Sequence, residues 1–313
     1  MKFSTEFDKK CQNVYTISML QDDGIPIEPI SFRTTWQNVN RFRIIPKKTP
    51  NRNTEMKIEW PTLYLGLSRL YPIGESEEAS TYDSQLSEKQ KREFFSVHKD
   101  ILSLNETPID CSAIAIKETA KKKTIGIRTE KYDPICNSSG QDNLNQILLA
   151  VMSFELLKEK SGSSWKGGLL LIDELDATLH PAAQNKLVKF LFDSAKELDI
   201  QIVFTTHSLS MLNYLCQRCE HNIENGMNNI EIAYLTTRNG LLQRLPNPDY
   251  DTIYFDMLNT LSILPNEYRK IAVYMEDNEA RWFLGKLTSK YMPRLTLPEI
   301  NIGHDQLKLM AIG

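Results

Sequence analysis

The middle of the chain alternates between helical and strand-like patterns of apolar residues. Five apolar residues recur at helical spacing: Leu144, Ile147, Leu148, Val151 and Phe154. A loop, SGSSWKGG, and a continuous apolar run at 169–172 follow, and a second helical segment at 182–198 precedes the apolar run IQIVFTT at 200–206. The order helix, buried strand, helix, buried strand predicts an α/β fold built on a parallel sheet.

Strand-like patterns dominate the first part of the chain. Four short apolar runs are separated by turn residues: 14–20, 29–35, 39–46 and 62–67. With a turn at 22–24, this pattern predicts antiparallel strands that form a β-rich arm over residues 12–66. The charged segment 86–102 predicts an exposed helix, and residues 113–128 predict a β-hairpin.

The last part of the chain predicts a second domain. A hairpin is expected at 231–245, with its turn at Asn239-Gly240, and a loop-rich stretch with one short helix follows. The apolar strand 271–275 then leads into a helix at 278–291, with a further strand near 298–302. We therefore predict a main domain, a linker and the start of a second α/β domain: residues 1–245, 246–268 and 269–313.

Composition and charge restrict the kind of protein. The chain has 313 residues, 41% hydrophobic and 25% charged, which is typical of a globular protein with one large core or two modest ones. A formal net charge of −3 provides no general attraction for nucleic acid. The basic segment KETAKKK at 117–123 could contact phosphates locally, although a solvated hairpin tip is the favoured interpretation.

Cysteine usage and hydropathy predict a cytoplasmic protein. The five cysteines are scattered, which is untypical of a disulfide framework. Cys216 and Cys219 form a lone CxxC, for which two thiols on one helix face are favoured over a zinc site. No apolar stretch approaches the roughly 20 residues that cross a bilayer, and the N-terminus lacks the apolar core of a secretory signal. We expect no membrane association.

The segment LLLIDELDATLHP at 169–181 carries the clearest chemistry. An apolar strand ends there in two adjacent carboxylates, Asp173 and Glu174. Ligands of α/β sheets bind outside the carboxyl ends of parallel strands, so both acids are expected to face a nucleotide. In a phosphate-hydrolysing site the first acid holds Mg²⁺, usually through water, and the second polarises the attacking water. The dipeptide alone is also compatible with a simple strand end.

A histidine after the next strand favours the functional interpretation. In IQIVFTTHS, His207 follows a buried strand about 30 residues beyond the acidic pair, where it can hydrogen-bond a γ-phosphate. A lone histidine would usually be structural. Its position after a strand, at the same predicted sheet edge as the acids, makes a role in phosphate binding the better hypothesis.

These motifs resemble those of ABC- and SMC-like ATPases. LLLIDELDATLHP is similar to their Walker B strand, catalytic glutamate and D-loop, and TTHS is similar to their switch histidine. NSSGQ at 137–141, at the start of a helix, resembles their signature motif, in which backbone and side-chain groups bind the γ-phosphate of the other protomer. The resemblance implies Glu174 and His207 as catalytic residues. It implies further nucleotide-binding residues: Asp173, Ser139, Gly140, Gln141 and Asp176.

Within these ATPases the sequence resembles the overcoming-lysogenization-defect (OLD) group. The ending LHP and a long intervening arm point to this group, and YLGLSRLYPIGE at 64–75, with Arg69 in a loop after a strand, is also similar. The predicted fold is therefore an ABC-type ATPase head, a parallel sheet with helices plus an antiparallel β arm. OLD proteins join this head to a C-terminal TOPRIM nuclease domain, so residues 269–313 are expected to begin a TOPRIM-like domain.

One expected motif is missing from the sequence. No GxxxxGK[ST] phosphate-binding loop occurs, and the glycine-rich GSSWKGG precedes the acidic strand and lacks the required spacing. In the OLD group this loop lies near the N-terminus, before the arm. We expect the chain to begin downstream of it, as a truncated form or a fragment, and to bind ATP weakly or not at all by itself.

A second acidic motif lies near the end of the chain. AVYMEDNEA at 272–280 places Glu276 after an apolar strand and Glu279 at the start of a helix, where both could share a divalent metal. Acids also favour the first turn of a helix because of its dipole. The TOPRIM resemblance implies Glu276 as the principal metal ligand and Glu279 as an accessory acid. The later acidic pair of TOPRIM domains has no counterpart, since Asp305 is the only late aspartate.

Two functions fit the sequence. The first is part of an ATP- and Mg²⁺-dependent DNA endonuclease of the OLD type, acting in defence against phage as a homodimer or higher oligomer on DNA. The second is a catalytically inactive ATPase-like scaffold that dimerises and holds a partner protein or nucleic acid. A DNA-repair ATPase of the SMC type would need long heptad arms, and none is visible in the sequence.

Overall fold

The computed structural model describes most of the chain. The described residues are 14–20, 26–36, 42–56, 59–118, 122, 124–224, 229–237, 240–259, 271–287, 292 and 295–303. Several predicted features lie outside the described residues: the turn at 22–24, most of the basic segment 117–123, Asn239, residues 260–268 of the linker, and Asp305. The chain divides into two compact units, residues 1–230 and 231–313.

An antiparallel sheet forms the predicted arm. Its strands are β1 (Thr16–Leu20), β2 (Pro26–Trp36) and β3 (Phe42–Pro46), with β2 paired to both neighbours. Alternate side chains of β2, those of Ile30, Phe32 and Thr34, are buried, as the two-residue period of a strand requires. The prediction of antiparallel strands is confirmed for this part of the chain.

The fourth predicted strand of the arm belongs instead to the central parallel sheet. β4 (Thr62–Leu65) pairs in parallel with β8 (Gly168–Ile172), which pairs in parallel with β9 (Ile200–Phe204). The assignment of 62–67 to the antiparallel arm was therefore wrong. Its apolar alternation indicates a half-buried strand, but it does not indicate which strand lies beside it, and here the partner is about 100 residues away.

A second antiparallel sheet contains the predicted hairpin. β5 (Ala79–Asp83), β6 (Asp110–Ile116) and β7 (Thr124–Arg128) pair in chain order, which confirms the hairpin at 113–128 and adds a strand to it. Lys122, in the connection before β7, is buried and forms an ion pair with Asp142, whose other oxygen accepts a 2.6 Å hydrogen bond from Thr124. The interpretation of this tip as solvated is wrong for Lys122.

The described part of the first unit has four α-helices: α1 (Glu88–Leu102), α2 (Ser139–Ser161), α3 (Pro181–Leu198) and α4 (Leu209–Glu224). Helix α2 is the centre of the core, because its Leu144, Ile147, Val151 and Phe154 are fully buried. Each such side chain contributes about 1.5–3 kcal/mol on burial. The parallel α/β prediction is confirmed.

Helix α1 is less exposed than its composition predicts. Phe94, His98 and Ile101 are buried, and they follow the i, i+4, i+7 spacing of one helix face. The charged residues between them make the segment 86–102 hydrophilic on average. The prediction of an exposed helix was therefore wrong for this face, because the core needs only a narrow apolar stripe.

The second unit contains a hairpin and a small β-α-β arrangement. β10 (Ala233–Thr236) and β11 (Gln243–Pro246) form the predicted hairpin, followed by the short helix α5 (Tyr250–Asn259). β12 (Ile271–Ala272) pairs in parallel with β13 (Leu295–Thr296), and α6 (Asn278–Leu287) lies between them in sequence. The last strand precedes its predicted position near 298–302, where only a bridge between Met275 and Asn301 occurs.

The two faces of the parallel sheet differ in burial. Leu170 and Ile172 of β8 are buried on the face that packs against the helices, whereas Tyr64 of β4 and Val203 of β9 are 65% and 55% exposed. Parallel sheets are normally covered on both faces. Among the described residues, then, the second face is open.

No helix in the described part of the chain combines the length and apolar character that crossing a membrane requires.

Candidate functional site

The predicted acids lie in residues 173–178, which we call the acid loop, directly after β8. The hydroxyl of Thr205, directly after β9, links the first two of them. It donates a 2.9 Å hydrogen bond to Asp173 Oδ1 and accepts one of 2.8 Å from the Glu174 N–H. The carboxyl ends of two neighbouring parallel strands are thus joined at the position where this fold class binds ligands.

The backbone of the acid loop is strained and firmly held. Glu174 has φ 49° and Thr178 has φ 64°, a left-handed conformation that costs a non-glycine residue of order 1–3 kcal/mol. The Glu174 carbonyl accepts a 2.8 Å hydrogen bond from Arg69 Nη2, while its N–H is held by Thr205. Both backbone groups of the proposed catalytic glutamate are therefore engaged.

The acid loop also positions the segment that carries His207. Asp176 Oδ1 accepts hydrogen bonds from the Thr206 hydroxyl at 2.6 Å and from the His207 N–H at 3.3 Å. The His207 side chain itself is exposed. Asp176 thus has a clear structural partner in the same chain, and His207 is held at the sheet edge through its backbone.

The signature-like residues begin helix α2. Ser138 and Gln141 form a capping box, and the Gln141 amide also donates to the Tyr132 hydroxyl at 3.0 Å. Ser139 is exposed in the first turn, where helix N-H groups favour anions. The side chain of Gln141 is therefore occupied by the cap, and the backbone of this turn and Ser139 offer the accessible donors.

The start of α2 packs against the acid loop of the same chain. A Cβ on Gly140 would lie 2.7 Å from the Thr178 carbonyl oxygen, so this close approach requires glycine. The Thr178 hydroxyl donates to the Ser139 carbonyl at 3.3 Å. The structure thus brings together Asp173, Glu174 and Asp176 with the 205–207 segment, and it brings Ser139 and Gly140 to the other end of the acid loop.

Arg69, Asn143 and Thr205 support this site, and sequence reasoning assigned no role to any of them. Arg69 is 2% exposed and Asn143 is 1% exposed. Burial lowers the pKa of the Arg69 guanidinium, and the charges of Asp173 and Glu174 oppose that shift. A signal was present for two of these residues, because Asn143 lies beside the apolar stripe of α2 and Thr205 lies inside the TTHS motif.

Asp173 has the chemistry of a magnesium ligand. One carboxylate oxygen accepts from Thr205, and no hydrogen bond within the described residues involves the other. A carboxylate at a sheet edge that presents a free oxygen fits Mg²⁺, which commonly takes one or two protein carboxylates plus water and phosphate oxygens. Asp173 would hold the ion, and the ion would neutralise phosphate charge.

The second acidic motif has fewer supports. Glu276 and Glu279 are exposed, the former in a bend and the latter in the first turn of α6. The hydrogen bonds nearby involve other residues, such as the Ala280 N–H donating to Asp277 Oδ1 at 2.7 Å. No group of three potential metal-binding side chains occurs in the described ranges.

Cys216 and Cys219 are both buried on α4, as predicted for structural thiols.

Comparison with known proteins supports an ATPase. Residues 73–212 match a family model described as an AAA ATPase domain, less than half of the chain. This stretch contains the acid loop, His207 and the start of α2, but not β4 or Arg69. A comparison with curated protein sequences found no match.

Three solved structures are similar in fold, all at low identity. One is an SMC ATPase from work on ATP-driven dimerization and DNA-stimulated activation, with 13% identity, a TM-score of 0.35, and coverage of 56% of this chain and 93% of that one. The SMC head domain from Thermotoga maritima has 12% identity, a TM-score of 0.39, and coverages of 74% and 72%. An SMC head bound to the C-winged helix domain of ScpA has 19% identity, a TM-score of 0.31, and coverages of 50% and 41%.

These matches name neither the OLD group nor a TOPRIM domain, so both assignments stay predictions. The roles of the individual site residues are predictions as well. The family match supports an ATPase domain of the AAA type, with the acid loop inside the matched residues.

Proposed function

We propose that this protein hydrolyses ATP at the acid loop and uses the reaction to control metal-dependent DNA cleavage, as in nucleases of the OLD type. The observation that carries the ATPase half is the Thr205 hydroxyl, which bonds both Asp173 and Glu174 at the ends of two parallel strands. This arrangement fixes the Asp173 carboxylate and the Glu174 backbone at a ligand-binding edge before any ligand arrives.

Each residue of the site has a distinct role in this proposal. Asp173 holds Mg²⁺, and Glu174 orients a water molecule and accepts its proton as the water attacks the γ-phosphate. His207 donates a hydrogen bond to the γ-phosphate from its exposed position after β9. Asp176 keeps the His207 backbone in place.

The start of α2 supports a dimer. Ser139 is exposed at the N-terminus of a 23-residue helix, where backbone N–H groups and the helix dipole favour an anion. We propose that Ser139 and Gly140 contact the γ-phosphate bound to a second copy, which makes ATP part of the interface. Gln141 contributes through the cap that orders this turn.

The nuclease half rests on the acidic motif of the second unit and on the OLD resemblance. Glu276, in the bend before α6, and Glu279, in its first turn, are both exposed, so a divalent ion could reach both. We propose that Glu276 would hold a divalent metal as its principal ligand, with Glu279 as an accessory acid, and that a metal bound there would supply the activated water that phosphodiester cleavage needs. The substrate is DNA.

A matched set of variants tests both halves. In a form of the protein that carries a GxxxxGK[ST] loop, we expect Glu174→Gln to lower the steady-state rate of phosphate release by about 10²–10⁴-fold while retaining nucleotide binding, because it removes a general base. Glu276→Gln should abolish Mg²⁺-dependent nicking of supercoiled DNA and leave phosphate release unchanged. Glu197→Gln and Glu299→Gln, at exposed acids outside the site, are the controls. Wild-type phosphate release in Glu174→Gln would contradict the assignment.

A dimerising scaffold is the second candidate function. The observation that favours it is the sequence itself, which contains no GxxxxGK[ST] loop. A scaffold would dimerise and bind a partner without measurable phosphate release or DNA nicking. Light scattering of the purified protein with and without Mg²⁺-ATP, run beside the hydrolysis assay, separates the candidates, since only the proposed ATPase dimerises in an ATP-dependent manner.

The resemblance to OLD proteins is also the basis for proposing a role in defence against phage. Phage should form fewer plaques on cells that express the wild-type gene than on cells that express the Glu174→Gln variant. Equal plaque numbers would remove the defence role and leave the biochemical proposal untouched.

A further inference from the structure

Arg69 is a buried charge with an unusual set of partners. Its side chain is 2% exposed, and none of its hydrogen-bond acceptors among the described residues is a carboxylate. Instead it donates to the Glu174 carbonyl at 2.8 Å, to the Gly66 carbonyl at 3.2 Å and to the side-chain oxygen of Asn143 at 2.8 Å. Burying a guanidinium without a directly paired carboxylate is costly, and the charges of Asp173 and Glu174 offset that cost only from a greater distance, so a purely passive role is a poor explanation.

Asn143 extends this contact to the other end of the acid loop. Its Oδ1 accepts from Arg69, and its Nδ2 donates to the Ala177 carbonyl at 2.7 Å. One helix turn later, the Gln146 amide holds the Arg69 carbonyl at 2.9 Å. The carbonyls of Glu174 and Ala177 are therefore held by a single connected pair, which is itself anchored on α2.

We propose that Arg69 and Asn143 are positioning residues that hold Glu174 in its strained backbone conformation and tie it to helix α2. The proposal rests on the proposed ATPase function. It assigns a role in catalysis to two residues that touch neither nucleotide nor water in that scheme.

The strain at Glu174 explains why such a support is needed. A residue with φ 49° returns to an ordinary conformation unless its surroundings hold it. Arg69 holds the carbonyl and Thr205 holds the N–H, and together they fix the direction in which the Glu174 side chain leaves the backbone.

Arg69 and Asn143 connect helix α2 to Glu174, so a movement of α2 can change the position of Glu174. The first turn of α2 contacts Thr178, and Asn143 in the next turn contacts Ala177 and Arg69. Contact with a nucleotide on a second copy would shift the start of α2. That shift would move the contact with Thr178 and the contacts of Asn143 together. Hydrolysis at Glu174 would then depend on what the N-terminus of its own α2 binds.

Hydrogen–deuterium exchange of the full chain tests the positioning without nucleotide. We expect Arg69→Met and Asn143→Leu each to increase exchange in residues 173–178 by at least about tenfold, because the loop opens locally. Exchange in β6 and β7 serves as an internal reference for global destabilisation. Arg92→Met, at an exposed arginine of α1, should change neither segment. Unchanged loop exchange in both folded variants would overturn the proposal.

Hydrolysis kinetics test the catalytic consequence. We expect Arg69→Met to lower kcat by about 10²-fold with KM changed only a few-fold, since misplacement of a catalytic group has effects of that size. Arg69→Lys should recover part of the loss by donating again to the Glu174 carbonyl. If kcat per bound nucleotide stays at the wild-type value while only the folded fraction falls, Arg69 is merely structural and the proposal is wrong.

The two measurements separate the two hypotheses. A wild-type form of the protein that carries a GxxxxGK[ST] loop and still releases no phosphate contradicts the proposed ATPase function. The exchange experiment still decides in that case whether Arg69 and Asn143 hold the acid loop.

Discussion

Two acidic motifs follow apolar strands in this protein, and their surroundings differ sharply. At the end of β8, Asp173 and Glu174 are linked by Thr205, and the Glu174 carbonyl is held by Arg69. Glu276 and Glu279, beside a parallel pair of two-residue strands, are exposed. The first pair is held by Thr205 and by the buried Arg69, whereas no described contact holds the side chains of the second pair.

The apolar residues around the two motifs show the same contrast. Leu170 in β8 and Phe154, which packs against the first residue of β8, are fully buried, whereas Trp282, Phe283 and Leu287 on α6 are 63%, 60% and 74% exposed. Two acids at the end of a strand are therefore a weak indicator that the surrounding structure holds them in a fixed site. The packing behind the acids decides whether their positions are held, and four pairs of matched substitutions measure that packing.

The largest difference is expected for aromatic residues. Phe154→Ala should lower the free energy of unfolding by about 3–5 kcal/mol, because it leaves a cavity beneath β8. Trp282→Ala on α6 should change it by no more than about 0.5 kcal/mol, as is usual for a surface position. Urea denaturation followed by circular dichroism measures both. Equal losses would mean that α6 is as well packed as the core, and the contrast would be lost.

Buried and exposed lysines give a similar comparison. Lys122→Met should lower the free energy of unfolding by about 3–5 kcal/mol, because it leaves the Asp142 carboxylate buried without a counter-ion. Lys286→Met, which removes a charge 5.9 Å from the Trp282 ring centre, should have an effect of at most about 1 kcal/mol. The double variant Lys122→Met, Asp142→Leu should recover much of the first loss. If it does not, the buried charge is not the cause.

A buried histidine should make the first unit sensitive to acid. His98 Nδ1 donates to Asn145 at 2.7 Å, its Nε2 has no partner in the described structure, and burial lowers its pKa to about 4. The unfolded chain, with a histidine pKa of about 6.5, binds a proton before the folded chain does. The free energy of unfolding should therefore fall as the pH drops from about 6.5 to about 4, by up to about 3 kcal/mol.

Two histidine variants check this pH dependence. His98→Gln keeps a donor for Asn145 but cannot titrate. The fall in the free energy of unfolding between about pH 6.5 and pH 4 should therefore be missing from this variant. His207→Gln, at an exposed site, should keep it. An undiminished slope in His98→Gln would assign the acid sensitivity to other groups.

The smallest difference concerns helix caps. The Ser138 hydroxyl accepts the Gln141 N–H at 3.3 Å before α2, and Asp277 accepts the Ala280 N–H at 2.7 Å before α6. Replacement by alanine should cost about 1 kcal/mol at either position. For Ser138→Ala we expect the loss in global unfolding, whereas Asp277→Ala should mainly increase hydrogen exchange within α6. A purely local effect for Ser138 would show that the start of α2 is not part of the cooperative core.

Much of the fold was predictable because its signals are local. The five-residue apolar stripe of α2 and the runs of β8 and β9 predict a parallel α/β core, and the structure confirms it. The place of β4 was not predictable, since its four residues alternate like those of the arm. The buried face of α1 was hidden by the charged residues around it.

The acids themselves were predicted from the ends of their strands, but their supports were not. Thr205 lies within the predicted motif, and its double hydrogen bond depends on the parallel pairing of β8 and β9. Arg69 comes to Glu174 from 105 residues away, and Asn143 from a different helix. Such contacts combine segments whose separation in sequence carries no information about their distance in space.

The sequence by itself determined most of the segments that form helices and strands, and where acids, histidine and a helix start follow them, because periodicity and strand ends are local properties. Only the tertiary structure decided that β4 completes the parallel sheet, that Gly140 touches Thr178, and that Arg69 holds Glu174 in a strained conformation. Those features depend on long-range packing. A buried charge and a left-handed glutamate are stable only where several distant segments meet to support them.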